Sequence, residues 1–140
     1  MAKFTLTHAH VASMLDPVAQ GDWSAFVAAI DPDVRWVIGS EKQDKLCMTG
    51  VYTLATWNEQ VRTPLAGKLK NGEIKMVVSS FDVVGNKAIA QASGEAVQLN
   101  GKPYVNHYAW FLTFSEDTGK VVEIREYLDT ALLYEVNTTN

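Results

Sequence analysis

The chain has almost no sulfur chemistry at its disposal. One cysteine, Cys47, stands among 140 residues, so no disulfide can close within it, and no C-x-x-C pair or Cys/His ligand spacing offers a dithiol or a structural zinc site. No base neighbours Cys47 in sequence, which speaks against a nucleophilic thiol and fits a reducing compartment. Positive charge is also scarce: 12 Lys and Arg face 16 Asp and Glu, for a net charge of −4. Lys68 and Lys70 form no larger cluster, so a surface that tracks phosphates is not expected and nucleic acid is not an expected partner. No apolar run approaches a membrane span, and Met1-Ala2-Lys3-Phe4 opens no apolar leader, so the expectations are no membrane and a cytoplasmic setting.

What the chain does hold is an ordinary core. Apolar residues make up 47% and charged residues 20%, and a chain of this length can bury roughly two-thirds of its unfolded surface. No linker, repeat or low-complexity segment interrupts it, so one domain over residues 1–140 is expected. Thr7 is placed to cap a helix from His8 to about Ala19, with Val11, Met14, Leu15 and Val18 on one stripe. Gly21-Asp22 breaks the chain and Asp22 restarts it, with Trp23, Phe26, Val27 and Ile30 lining a second helix. After Asp31-Pro32-Asp33, Val34 to Ile38 reads as a strand carrying Trp36, and residues 39–50 read as a polar loop. Thr53 or Thr56 caps a third helix toward Leu69 that Pro64 must bend or end.

From Glu73 the pattern becomes strands: Glu73 to Val84, Lys87 to Leu99, Tyr104 to Phe114 and Lys120 to Leu128, separated by Gly85-Asn86, Asn100-Gly101 and Asp117-Thr118-Gly119. Helices first and a strand meander afterwards predict an α+β fold. Asn100-Gly101 predicts a two-residue hairpin that sets Leu99 opposite Lys102, Glu95 opposite Asn106, Ser93 opposite Tyr108 and Gln91 opposite Trp110. The three-residue turn ending in Gly119 sets Glu126 opposite Trp110 and Leu128 opposite Tyr108.

On that register one face collects Gln91, Ser93, Glu95, Asn106, Tyr108, Trp110, Ile124, Glu126 and Leu128, and it is the expected pocket. Glu126 is a carboxyl set among apolar groups, where desolvation raises its pKa, and with Tyr108 it forms a candidate acid/base pair. The plainer alternative is a buried Glu bonded to a helix, or a solvated edge position. Glu95 would lie on the order of 16 Å from Glu126 in a flat sheet. The other face pairs His107 with Asp129, either a general base held by a carboxylate or a structural cross-strand bond. It also carries Ala88, Ala90, Ala92, Gly94 and Ala96, read as a homodimer face unless it is the inner face.

Trp36, the run from Asn100 to Tyr108, and the stretch from Gly119 to Thr130 with Arg125-Glu126-Tyr127-Leu128-Asp129-Thr130 resemble the SnoaL-like polyketide cyclases. These fall within the nuclear-transport-factor-2-like (NTF2-like) superfamily, with ketosteroid isomerase and limonene-epoxide hydrolase. The resemblance implies a cone-shaped curved antiparallel sheet, a half-barrel closed by about three N-terminal helices. It also implies a homodimer, and an enzyme with no metal and no organic cofactor. An acidic residue on the last strand after an Arg matches Glu126, and the terminal Asp matches Asp129. The hydrolase's Arg-x-Asp falls at Ser93-Gly94-Glu95, where the Arg is missing, which speaks against epoxide hydrolysis. The expected function is acid/base isomerase, cyclase, hydratase or lyase chemistry on a small apolar oxygenated substrate of polyketide or terpenoid type, as in secondary metabolism. Glu126, Tyr108, Asp129 and His107 are the catalytic candidates. Trp36, Ser93, Glu95, Asn106, Trp110 and Leu128 are the substrate-binding candidates. The alternative is a non-catalytic small-molecule-binding or protein-interaction module.

Overall fold

The computed structural model describes residues 2–140. Thr7 caps α1 (His8–Leu15) by accepting from the His10 amide, and a 3-10 turn (Asp16–Gln20) carries the chain to Gly21 and α2 (Ser24–Ala28). Asp22 Oδ1 accepts from the Ser24 amide at 3.0 Å, closing the helical hairpin as its sequence suggests. Then follow β1 (Ile30–Ile38) and a short β2 (Gly50–Tyr52), a strand absent from the sequence reading that starts at the last residue of the expected loop. Thr53 and Thr56 form a reciprocal capping box at α3 (Leu54–Trp57). Pro64 has no amide to donate, and the helix answers by widening into a π-turn (Asn58–Arg62), Thr63 N–H reaching Asn58 C=O, before α4 (Thr63–Ala66).

Four long strands follow: β3 (Lys75–Val84), β4 (Lys87–Val97), β5 (Pro103–Phe114) and β6 (Val121–Tyr127). They form one curved, open six-stranded sheet in the order β2-β1-β6-β5-β4-β3. The sheet is not wholly antiparallel, because β1 lies parallel to β6. The meander leaves β6 with an open edge, and β1, reached from far along the chain, covers it in the same direction. A helix absent from the sequence reading, α5 (Thr130–Thr139), closes the chain and buries Leu133 and Val136. Its Asp129 cap accepts from the Leu132 amide at 3.2 Å. No helix among the described residues is long and apolar enough to cross a membrane.

The β4–β5 hairpin differs from expectation by one residue. Gln98 N–H donates to Lys102 C=O at 2.8 Å, which leaves three residues, Leu99-Asn100-Gly101, in the turn. The two-residue turn needs left-handed backbone at both central positions, yet only Gly101 adopts it, with φ 90°. Asn100 is held by contacts its sequence does not show: its amide donates to Asn140 Oδ1 at 3.0 Å, and its Oδ1 accepts from the Lys102 amide at 2.9 Å. Gly94 therefore faces Asn106, Ala92 faces Tyr108 and Ala90 faces Trp110, whereas Ser93 faces His107 and Glu95 faces Val105. A slip of one residue exchanges the faces of a strand. The alanine stripe is thus buried on the inner face and is no dimer surface. Gln91, Ser93 and Glu95 point outward. Between β5 and β6 Trp110 stands opposite Glu126 as read, but the turn holds four residues instead of three, since Ser115 N–H donates to Lys120 C=O at 2.8 Å. A bulge between Thr113 and Phe114 restores the register, and the pairing ends at Tyr127, short of Leu128.

The small residues of β4 make room for the large ones of β5. A Cβ on Gly94 would stand 2.9 Å from Tyr108 Cε1 and 3.1 Å from Ile74 Cγ2. Gly94→Ala is expected to lower stability by about 1–3 kcal/mol and to tilt the Tyr108 ring. Ser93→Ala, next door on the outer face, should stay within about 0.5 kcal/mol. Urea denaturation of both variants checks this, and equal effects would remove the steric argument.

Candidate functional site

Between the sheet's inner face and the helices lies a cavity of about 320 Å³. Trp36, Trp57, Met48, Leu65, Met76 and Leu133 give it apolar walls, Glu126 and Tyr108 are its deep polar groups, and Arg62 and Glu73 stand exposed at its rim. Both non-glycine residues with left-handed backbone among those described, Met48 (φ 61°) and Asn71 (φ 64°), line it. Such strain costs on the order of 1 kcal/mol for a residue like Met48 and gathers at functional sites.

Glu126 is the buried acid of the cavity. Trp36 Nε1 donates to its Oε1 at 3.3 Å and Trp110 Nε1 donates to the same oxygen at 3.2 Å. The two indoles come from the strands on either side of β6, and together they occupy one carboxylate oxygen. Oε2 takes no protein donor, yet no side-chain oxygen sealed from solvent is left unpartnered among the described residues. Oε2 thus keeps its access to the cavity. Burial pushes the Glu126 carboxyl from 4.5 up to about 7, against the opposing pull of the two indole donors. Both protonation states are therefore populated near neutral pH, as a group that must both take and return a proton requires.

The stack above Glu126 is aromatic. Trp57 lies on Trp36 with ring centroids 4.3 Å apart and planes 16° apart, and the Arg62 guanidinium sits 5.8 Å over the Trp57 ring. Trp57 and Arg62 belong to the widened helix around the π-turn, and no sequence signal short of that helical bulge points to them. Tyr104, also unforeseen, bonds Tyr108 hydroxyl to hydroxyl at 2.8 Å. Burial pushes the Tyr104 phenol up to about 12 and the Tyr108 phenol well above its usual value.

The structure divides the sequence candidates. Trp36, Tyr108, Trp110, Glu126 and Leu128 line the cavity together. Ser93 and Glu95 lie on the outer face, Glu95 in a shallow surface depression beside Lys70 and Lys75, so no second carboxylate from β4 joins Glu126. His107 is exposed on that same outer face, and Asp129 is engaged as the α5 cap. No hydrogen bond or ion pair joins the two among the described residues, because β6 ends at Tyr127 before the pairing reaches Asp129. Asn106 is fully buried and does not line the cavity. Its Oδ1 accepts from the Asp129 amide at 2.9 Å and its Nδ2 donates to the Asp129 carbonyl at 3.1 Å. A carbonyl-binding role for Asn106 is thereby replaced by a structural one: its amide ties β5 to the start of α5.

The raised Glu126 ionisation has a consequence for stability. Between pH 4.5 and about 7 the folded protein keeps a proton that the unfolded chain releases, so stability falls as pH rises through this window. The full effect is about 3 kcal/mol. Glu126→Gln, whose amide oxygen can accept the same indoles, lacks this term. The variant is expected to gain on the wild type by that amount from below pH 4.5 to above pH 7, read by urea denaturation at each pH. A stability difference that does not move with pH would contradict a buried, proton-holding carboxyl.

No protein-family model matches the chain. Two curated proteins show local similarity. One is UPF0523 protein C of Dictyostelium discoideum, 34% identical over 61 residues, or 44% of this chain. The other is the monooxygenase ptaG of Pestalotiopsis fici, 36% identical over 62 residues, again 44% of this chain. The chain spans 38% and 43% of these relatives' own lengths. Solved structures match nearly end to end. An NTF2-like protein of Burkholderia pseudomallei superposes with a TM-score of 0.71 at 18% identity, covering 94% of this chain and 96% of its own. TerC, co-crystallised with polyporic acid, gives 0.71 at 18% identity over 94% and 97%. A protein from Jannaschia described as a SnoaL-like polyketide cyclase gives 0.65 at 17% identity over 94% and 91%. A curved open sheet, helices closing its mouth and an aromatic cavity between them are the NTF2-like fold, and this chain has it, in common with structures of SnoaL-like type.

Proposed function

We propose that the chain is an acid/base enzyme of isomerase, cyclase or hydratase type, acting on a small apolar oxygenated carbon skeleton of polyketide or terpenoid kind. One observation carries the reading: a carboxyl with one oxygen held by two indoles and the other open to an apolar cavity, ionising near neutrality. Glu126 removes a proton from a carbon beside a carbonyl and returns it elsewhere on the same skeleton, which requires no net oxidant. Tyr108 stands on the neighbouring strand, diagonal to Glu126 across a span of ~7 Å, within reach of the oxygen that becomes the enolate. Trp36, Trp57 and Trp110 hold the flat carbon skeleton and keep water from the developing charge. A solved neighbour of the same fold described as a SnoaL-like polyketide cyclase supports this chemistry, and TerC's co-crystallisation with polyporic acid supports an organic ligand.

The test is exchange of α-protons with deuterated solvent, followed by NMR over a panel of aryl ketones and 1,3-dicarbonyl compounds. The rate is expected to rise with pH through a limb near 7, as Glu126 ionises. Glu126→Gln should lower it by roughly 10²–10⁴-fold. Trp36→Phe removes one donor from the ionised carboxylate and should move the limb to higher pH. Unchanged exchange in Glu126→Gln would take Glu126 out of the chemistry. A ligand bound by both proteins and exchanged by neither would favour a binding module.

A further inference from the structure

Two phenols that share one hydrogen bond can share it in either direction, and here the surrounding groups choose. The Asp129 backbone decides how the Asn106 amide is turned, since its N–H can only donate and its C=O can only accept. Asn106 Oδ1 must therefore face the Asp129 N–H and Nδ2 its C=O. The remaining Nδ2 proton points at Tyr104 Oη, 3.2 Å away. Tyr104 has no exposure to solvent and does not line the cavity. Its own hydroxyl proton needs an acceptor inside the protein, and the sole acceptor beside it among the described residues is Tyr108 Oη at 2.8 Å. With Tyr104 donating, the Tyr108 oxygen is an acceptor on that side, and its own proton has no protein partner. Tyr108 lines the cavity.

We infer that the Asn106 amide, oriented by the Asp129 backbone, sets a one-way chain of hydrogen bonds from Asn106 through Tyr104 to Tyr108, and that this chain holds Tyr108 as a donor aimed into the cavity. The site then selects substrates that present an acceptor oxygen there, a ketone or the enolate derived from it, and disfavours skeletons that present only a donor or an apolar group at that point. Tyr104 and Asn106 are positioning residues that never touch substrate. Their bonds also polarise the terminal O–H, so it donates more strongly than a lone phenol. Burial keeps both phenols protonated at neutral pH, so the chain persists across the range in which Glu126 titrates. The inference rests on reading the cavity as a carbonyl site, but its test does not depend on turnover.

Neutron diffraction on deuterium-exchanged wild-type crystals reads the chain directly. The Tyr104 deuteron is expected on the line to Tyr108 Oη and the Tyr108 deuteron toward the cavity; a Tyr108 deuteron lying between the two oxygens overturns the inference. A solution arm uses 2-acetylnaphthalene as the probe and the infrared stretch of its bound carbonyl. The band should sit at lower frequency in wild type and in Glu126→Gln than in Tyr108→Phe. Asn106→Asp supplies an acceptor where Asn106 supplies a donor, so it should reverse the chain. The shift is then lost, and the probe binds roughly tenfold more weakly than to wild type. A wild-type band equal to that of Tyr108→Phe, or an unchanged shift in Asn106→Asp, refutes the positioning role. Unchanged proton exchange in Glu126→Gln with the band shift retained fails the acid/base reading and leaves this inference standing, whereas lost exchange with no band shift in wild type does the reverse.

Discussion

A carboxyl taken out of water must be neutral or well supplied with donors, and this protein arranges for both at Glu126. An isolated carboxylate inside an apolar core costs several kcal/mol. Two indole N–H groups on one oxygen reduce that cost without adding a counter-charge, so the group comes to rest near neutrality. The arrangement requires β6 to lie between the strands that carry Trp36 and Trp110. The observed strand order supplies it, β1 on one side and β5 on the other. Moving either strand would strand the carboxyl.

The aromatic groups serve the fold and the site together. Phe26 and Trp23 from the helical hairpin pack on Trp110, and Trp57 from the widened helix packs on Trp36. The rings that orient Glu126 are thus themselves held from the opposite layer. The alanines and glycine of β4 leave the space that these rings and Tyr108 fill. Small residues on one strand and large ones on the next bend the packing around a void that a uniform leucine core would have closed. Left-handed backbone at Met48 and Asn71 is local strain on the wall of that void.

Within the site, polar groups are sorted by what they face. Asn106 spends both amide protons and its oxygen on Asp129 and Tyr104, three bonds that make it a strut between β5 and α5. Asp129 caps the helix that brings Leu133 to the cavity wall. Two residues that read in sequence as parts of a reactive centre therefore shape it from outside. Glu126 Oε2 and the Tyr108 hydroxyl remain as the deep polar points toward a ligand.

Local patterns alone determined much of this protein. Helical hairpin, capping threonines, long strands and a carboxyl flanked by Ile124 and Leu128 all follow from residues close in sequence, whose spacing carries its own geometry. The β4–β5 register did not follow. Asn100-Gly101 alone favours a two-residue turn, and contacts with Lys68 and the chain's last residues at Thr139 and Asn140 impose a three-residue one. That single step turned Ser93, Glu95 and the alanine stripe to faces opposite to those expected. The Trp36 donor to Glu126 and the Asp129 partner of Asn106 were likewise beyond local reading, since Trp36 lies 90 residues from Glu126 and Asp129 lies 23 from Asn106. Short-range periodicity decides which residues share a face; which face is buried and which residues meet depend on strand order and register, and those are set by contacts far apart in the chain.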